Sequence, residues 1–343
     1  MLFVVTVHSI IPDINPITTH LSSFAIPLFF VLAGLTYNND RYRGNLRGFV
    51  QSRGRQYLIP YFVLYTTMIG LRVLLGPYAG TNFTLEELLF WFAYGSGPPD
   101  SATHLWFLPV LFFGMVVFAC IDYVTAGFPR QSRWLALVLL PSLALLVKYA
   151  LGSTLVPWHA NAILIAASFM IIGNEIRLSR GLHHWGSGAA SMDCIGVIAC
   201  VTILVIASGV NGFTDIAVDN LGLSVWLYMV AGTLGAIATF LLSSLIARFG
   251  TAVRKELMRI GAYSQEMYEI HPVTFYLVPI TMVLLGGTTS DYAVLYSVLW
   301  PARLFLGVVL SLLLSEYVIS RHGLTRLIFR GSSRARNPHP LGD

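Results

Sequence analysis

Charge is what this chain has least of. Only 11% of its residues are Asp, Glu, Lys or Arg, against about 25% in a soluble domain, so a water-exposed globular surface is excluded. Cysteine is scarcer still. Cys120, Cys194 and Cys200 all fall within apolar runs, which argues against a disulfide framework or a thiolate metal site and leaves them as small buried packing residues. The formal charge is +5, yet the bases flank apolar runs rather than gather on one soluble face. That arrangement points to an anionic lipid leaflet as the partner, not to nucleic acid.

What the chain has in quantity is long hydrophobic runs. Hydrophobic residues make up 56% of it and mean hydropathy is +0.71. Runs of about 18 to 25 residues are long enough to cross a hydrocarbon core of roughly 30 Å as helices. Ten spans are predicted, over 1–12, 20–37, 57–76, 104–126, 134–151, 157–176, 188–209, 223–247, 264–286 and 293–318. The fold class is therefore all-α, a polytopic membrane protein of about ten helices. Of the 21 Lys and Arg, 18 fall in every second gap or in the tail, while the other gaps carry Asp13, Glu86, Glu87, Asp100, Asp215, Asp219 and Asp291. Cytoplasmic loops keep positive charge, so both termini are expected in the cytoplasm. The localisation this implies is a multi-pass protein of the cell inner (plasma) membrane.

One membrane domain is expected over 1–320, followed by a basic cytoplasmic tail over 321–343 that is disordered beyond a short amphipathic start. The first span is short: twelve residues reach only about 18 Å, so that helix reads as N-terminally truncated. In 77–103, TLEELLFWFAY reads as an amphipathic helix on the outer interface and GSGPPDS as a turn.

Polar groups within spans are costly unless partnered and so mark candidate sites. His8, Asp13, His20 and His104 form one outward-facing group. A neutral imidazole can take a proton from an alcohol if a neighbouring group orients it, although each histidine also fits interfacial anchoring or core packing. No metal is expected, because these residues lack ligand spacing. In RYRGNLRGFVQSRGRQYLIPY, at 41–61, Arg53 and Arg55 lead into a span and suit the phosphates of a cytosolic cofactor. The alternative is ordinary inside positive bias, which also covers Arg41, Arg43 and Arg47. In GAYSQEMYEIHPV, at 261–273, Ser264, Tyr268 and His271 share one helical face. Pro272 takes the usual partner from the Tyr268 carbonyl and is expected to bend the helix. Glu266 and Glu269 read as hydrated. Of the bases within spans, Arg72 and Lys148 read as snorkelling to the interface. Arg303, about ten residues into its span, faces a bundle interior or a cavity. Trp91, Trp106 and Trp158 fit an interfacial belt, and Trp106 could stack on a sugar.

SFAIPLFFVLAGLTYN at 23–38, the arginine run into LIPY at 58–61, HLWFLPVLF at 104–112, IIGNEIR at 171–177 and IGAYSQEMYEIHP at 260–272 occur in that order. Together they resemble the membrane-bound acyltransferase family 3, in particular its surface-polysaccharide O-acetyltransferase branch, similar to fucose O-acetylases. The resemblance implies acyl transfer, most simply of acetyl from acetyl-CoA on the cytoplasmic side, to a sugar hydroxyl of a surface glycan or its lipid-linked precursor. It places the family's first-span histidine at His8, as general base. It also assigns CoA phosphates to Arg53 and Arg55, and the acyl and sugar path to His104, Trp106, Tyr268 and His271. The family's basic residue about eleven positions before that histidine would precede Met1. A second arginine three positions after Arg53 is replaced by Gln56. The rival reading is a transporter or flippase, which would show inverted repeats and paired broken helices; only the Pro272 break is visible. A third is a structural subunit of a glycan-synthesis complex.

Overall fold

A computed structural model of the chain describes residues 1–79, 84–96, 103–152, 156–180, 190–249, 251–275, 277–288, 291 and 295–333. Among them there is no β-strand beyond a single bridge between Asp215 and Asn220. The helices in chain order are α1 (Leu2–Ile10), α2 (Pro16–Leu35), α3 (Asn39–Arg43), α4 (Leu46–Ala79), α5 (Leu85–Tyr94), α6 (Phe107–Val124) and α7 (Ser132–Leu151). Then come α8 (Ala160–Arg180), α9 (Ala190–Asn211), α10 (Val225–Phe249), α11 (Thr251–Ala262), α12 (Ser264–Phe275), α13 (Leu277–Leu284), α14 (Trp300–Leu314) and α15 (Gly323–Arg330). Eight helical stretches among the described residues are long and apolar enough to cross a membrane. The chain is an all-α polytopic membrane protein.

Two expected spans lie outside those eight. The span at 1–12 is the nine-residue α1, about 14 Å long at the usual rise. The span at 57–76 is the later part of α4, whose 34 residues extend about 51 Å. The arginine run thus forms the first turns of a long helix rather than a separate loop. The last span starts later than its hydropathy suggests, because Pro301 opens α14 in its first turn. Arg303 accordingly sits near a helix start and not ten residues into one.

Between helices in lipid the hydrophobic drive is weak, so close backbone approach and polar contacts hold them together. α2 and α8 show this directly. A Cβ on Gly34 would stand 1.9 Å from the Met170 carbonyl oxygen, and one on Gly173 would stand 2.0 Å from that of Val31. Any larger residue at either position would push the helices apart. At the end of these helices Asp122 of α6 is buried and accepts from Arg43 Nε and Nη2 at 2.9 and 2.7 Å, from Arg133 Nη2 at 2.5 Å and from Asn39 Nδ2 at 2.8 Å. Asn174 joins this cluster through Asn39 and Arg133. A carboxylate so buried is tolerable only because two guanidiniums and an amide meet it. Arg43 and Arg133 are therefore structural partners as well as markers of one face. Asp122 in turn holds the Arg43 guanidinium above its ordinary pKa, chiefly by hydrogen bonding.

The cysteines correct an expectation. All three are free, with Cys120 and Cys194 exposed and Cys200 partly so. An apolar run shows that a helix is embedded, but it does not separate a lipid-facing stripe from a core-facing one. The TLEELLFWFAY helix does form, as α5. Thr84 and Glu87 close a capping box at its start, and Gly95 ends it with φ 72°. The rest of the expected GSGPPDS turn falls mainly on 97–102, outside the described residues, as does the Arg72 side chain. Lys148 donates to the Asp219 carbonyl at 2.8 Å, fastening the loop between α9 and α10.

Candidate active site

The site is built where α1 ends. His8 lies in its last turn, where carbonyl oxygens lack helical partners. Arg303 of α14 supplies one, donating from both Nε and Nη2 to the Ser9 carbonyl at 2.9 and 2.6 Å. The Tyr296 hydroxyl donates to the Ile11 carbonyl at 2.5 Å, and the Arg303 guanidinium lies 3.6 Å above the Tyr296 ring centroid. A buried cation at the negative end of α1 suits the helix dipole and fixes the segment that carries His8.

α12 brings the facing side chains. It continues through Pro272 to Phe275. Tyr268 and His271 lie buried on the side packed toward α1 and the short helical turn Thr103–Trp106. His8 Nδ1 is 2.7 Å from His271 Nε2. With ring centroids 5.0 Å apart and planes 18° from parallel, the two imidazoles meet edge to edge. His104 stands beside them, its ring centroid 6.4 Å from that of His271 and 6.2 Å from that of Tyr268. Its Nε2 lies 3.3 Å from the Glu269 carbonyl, which fixes Nε2 as the donor.

Two cavities meet at Tyr268. The larger, about 1080 Å³, opens at the arginine-bearing end. It is lined there by Gln51, Ser52 and Arg55 of α4, Ser264 and Gln265 at the start of α12, and Arg330 at the end of α15. Its inner wall is Phe107, Leu108 and Tyr268. The smaller, about 70 Å³, is lined by His8, Ser22, Trp106, Thr214, Asp215 and Tyr268. Polar and ionisable side chains thus approach one tyrosine from both sides.

A family model described as an acyltransferase domain, of the acyltransferase family 3, matches residues 1–318. The chain belongs to this family. No curated protein and no solved structure matches it. It is thus a multi-pass membrane acyltransferase.

Within this acyltransferase, the predicted residues separate into those the fold brings together and those it does not. His8, His104, Tyr268 and His271 form one cluster, and Trp106 lines the small cavity with His8. Trp106 is buried, so it is no interfacial belt residue. His20 turns to α9, its Nδ1 2.8 Å from Ser208 Oγ, and Asp13 lies in the turn after α1. Arg55 lines the large cavity. Arg53 does not: its Nη1 donates to Gln56 Oε1 at 2.7 Å, and Gln56 in turn meets Gln265 at 3.3 Å. The supposedly hydrated Glu266 and Glu269 are buried instead, at 2% and 4% exposure. Arg330 ion-pairs with Glu266, and Gln265 Nε2 donates to Glu269 Oε1 at 3.2 Å and to the Phe329 carbonyl at 3.0 Å; α15 folds back against the start of α12.

Arg330, Gln265, Thr214 and Asp215 escaped sequence reasoning. Arg330 falls in the basic tail, where only the short amphipathic start points to a segment that docks. Asp215 carries a faint signal, as one acid among several in a loop of negative bias. It sits at the head of a tight turn, its side chain accepting from the Ala217 N–H at 3.0 Å. Burial lifts its pKa above the usual carboxylate range against the opposing effect of that hydrogen bond. Among the described residues no group of three or more His, Cys, Asp or Glu is placed to hold a metal ion.

Proposed function

We propose that this acyltransferase is an O-acetyltransferase of the surface-polysaccharide branch. It moves an acetyl group from cytoplasmic acetyl-CoA to a sugar hydroxyl of a surface glycan or its lipid-linked precursor, in the plasma (inner) membrane. The observation that carries this reading is the pair of cavities sharing Tyr268, with arginines on one and His8 on the other. The large one, about 1080 Å³, stands at the upper end of the roughly 300–1,000 Å³ of ligand pockets, a size that suits a nucleotide thioester. Arg55 and Arg330 offer guanidiniums to its phosphates. The small cavity has room for a reacting hydroxyl and its carbon. Asp215, Thr214 and Ser22 supply hydrogen-bond partners of the kind a polyol needs, and Trp106 supplies an apolar face.

For direct transfer the chemistry balances as follows. His8 takes the acceptor's hydroxyl proton as its oxygen attacks the thioester carbonyl carbon. The new C–O bond forms, the C–S bond breaks, and the electron pair leaves on the CoA sulfur. The proton on His8 then passes to that sulfur as the thiol is released. Tyr268 lines both cavities, which supports a path for the acyl group past its ring, and His104 is close enough to shape that path.

The test is His8→Ala at matched protein levels, read as base-labile acetyl groups on surface glycan. Loss of a positioned base lowers transfer by about 10²-fold or more. Equal acetylation in mutant and wild type removes His8 from catalysis. Absence of acetyl groups in wild type would overturn the acetyl and surface-glycan assignment and leave an acyltransferase of another donor or acceptor.

A further inference from the structure

We infer that His271 is a positioning residue that fixes the tautomer of His8, holding the proton on Nδ1 and the lone pair on Nε2. The inference rests on the reading of His8 as the general base, and it gives His271 a different task from shaping the substrate path. His271 has 0% exposure and lines neither cavity.

The argument starts from a missing hydrogen. Pro272 has no N–H, so the Tyr268 carbonyl, four residues earlier, lacks its ordinary helical donor. His271 Nδ1 lies 2.9 Å from that oxygen and 3.1 Å from the Met267 carbonyl. Carbonyl oxygens only accept, so Nδ1 carries the proton. In a neutral imidazole the other nitrogen is then the acceptor, and His271 Nε2 faces His8 Nδ1 at 2.7 Å. His8 Nδ1 must therefore be the donor, which leaves Nε2 of His8 with its lone pair.

Left alone in water, a histidine side chain prefers its proton on Nε2, so this contact reverses the intrinsic preference. The nitrogen that a ring uses is set by the bond its other nitrogen makes. Once His8 accepts the hydroxyl proton it becomes a cation, and His271 Nε2 is placed to accept from the Nδ1–H of that cation. A neutral imidazole thus does here the orienting work that a carboxylate does elsewhere. Arg303 complements it by fixing the backbone one residue beyond His8. The sequence pair His271-Pro272 supplies both halves of the device, the ring and the carbonyl freed to anchor it.

The experiment is nitrogen-15 histidine NMR on the full chain in lipid nanodiscs, with His8 assigned by its loss in His8→Asn. Wild type is compared with His271→Leu, which offers no acceptor, and His271→Gln, whose side-chain oxygen can accept. The expected wild-type signal of His8 shows a protonated Nδ1 and an unprotonated Nε2. In His271→Leu the proton moves to Nε2, and in His271→Gln it stays on Nδ1. Acetyl transfer by His271→Leu falls about tenfold or more in kcat with the donor KM unchanged, and His271→Gln recovers part of it. A wild-type His8 protonated on Nε2, or one whose tautomer is the same in His271→Leu, overturns the inference. The expected tautomers with acetyl transfer undiminished in His8→Ala support it and overturn instead the reading of His8 as a base.

Discussion

Arg303 and Ser9 lie 294 residues apart, and the guanidinium of the first donates twice to the carbonyl of the second. This contact joins α14 to the end of α1, so it governs the position of His8 without touching the cavity that His8 lines. Replacing the guanidinium leaves a buried carbonyl without its donors, at a cost of about 1 to 3 kcal/mol. Arg303→Met is expected to lower the midpoint of thermal unfolding in detergent and also the transfer rate per folded molecule. Arg303→Lys keeps the charge but loses the fork and should fall between. A variant with wild-type stability and wild-type transfer would show that α1 is held by other contacts.

Arg53 and Arg55 are separated by the structure, although sequence treats them alike. Arg55 faces the large cavity and Arg53 is engaged by Gln56. Arg55→Ala is expected to weaken acetyl-CoA binding by about 1.5 to 3 kcal/mol, roughly ten- to a hundredfold in Kd. Arg53→Ala should change it several-fold less. Titration of purified protein with acetyl-CoA decides between them, and an equal loss in both would mean that Arg53 releases Gln56 when donor binds.

Much of this fold is legible because lipid imposes it. Apolar length and alternating charge locate the long helices without help from packing, and α5 announces itself through the Thr84 and Glu87 cap. The arginine run and the first span were harder, since hydropathy averages over α4 and does not show that its polar start is helical. The candidate site divides in the same way. Tyr268 and His271 share a face by helical spacing, which is local. That His271 meets His8, that Arg330 returns to Glu266 and that Arg303 reaches Ser9 are contacts between distant segments, with no local pattern to encode them. The cysteines failed for a related reason, because both faces of an embedded helix are apolar.

Orientation follows from where the bases lie. Reporter fusions after Arg43 and after Arg259 are expected to read as cytoplasmic, and a fusion after Asp219 as external. Alkaline phosphatase activity, which develops only outside the cytoplasm, distinguishes the two. One clear reversal would place the Arg55 and Arg330 cavity on the outside, where acetyl-CoA is absent, and would end the donor assignment.

Asp215 gives a pH prediction with a defined sign. Burial raises its pKa in the folded protein above that of an unfolded aspartate. Between those two values the folded state therefore binds more protons than the unfolded one, and stability falls as pH rises through that window. Asp215→Asn keeps an oxygen to accept from the Ala217 N–H but has no charge to bury. The mutant should gain on wild type as pH is raised from about 4, the ordinary aspartate value, toward neutrality. Thermal unfolding midpoints of both proteins across that range, in one detergent and at fixed salt, make the comparison. A difference that stays constant with pH would show that the Asp215 carboxylate is hydrated in the folded state, and one that shrinks would mean a cation outside its turn stabilises the charged form.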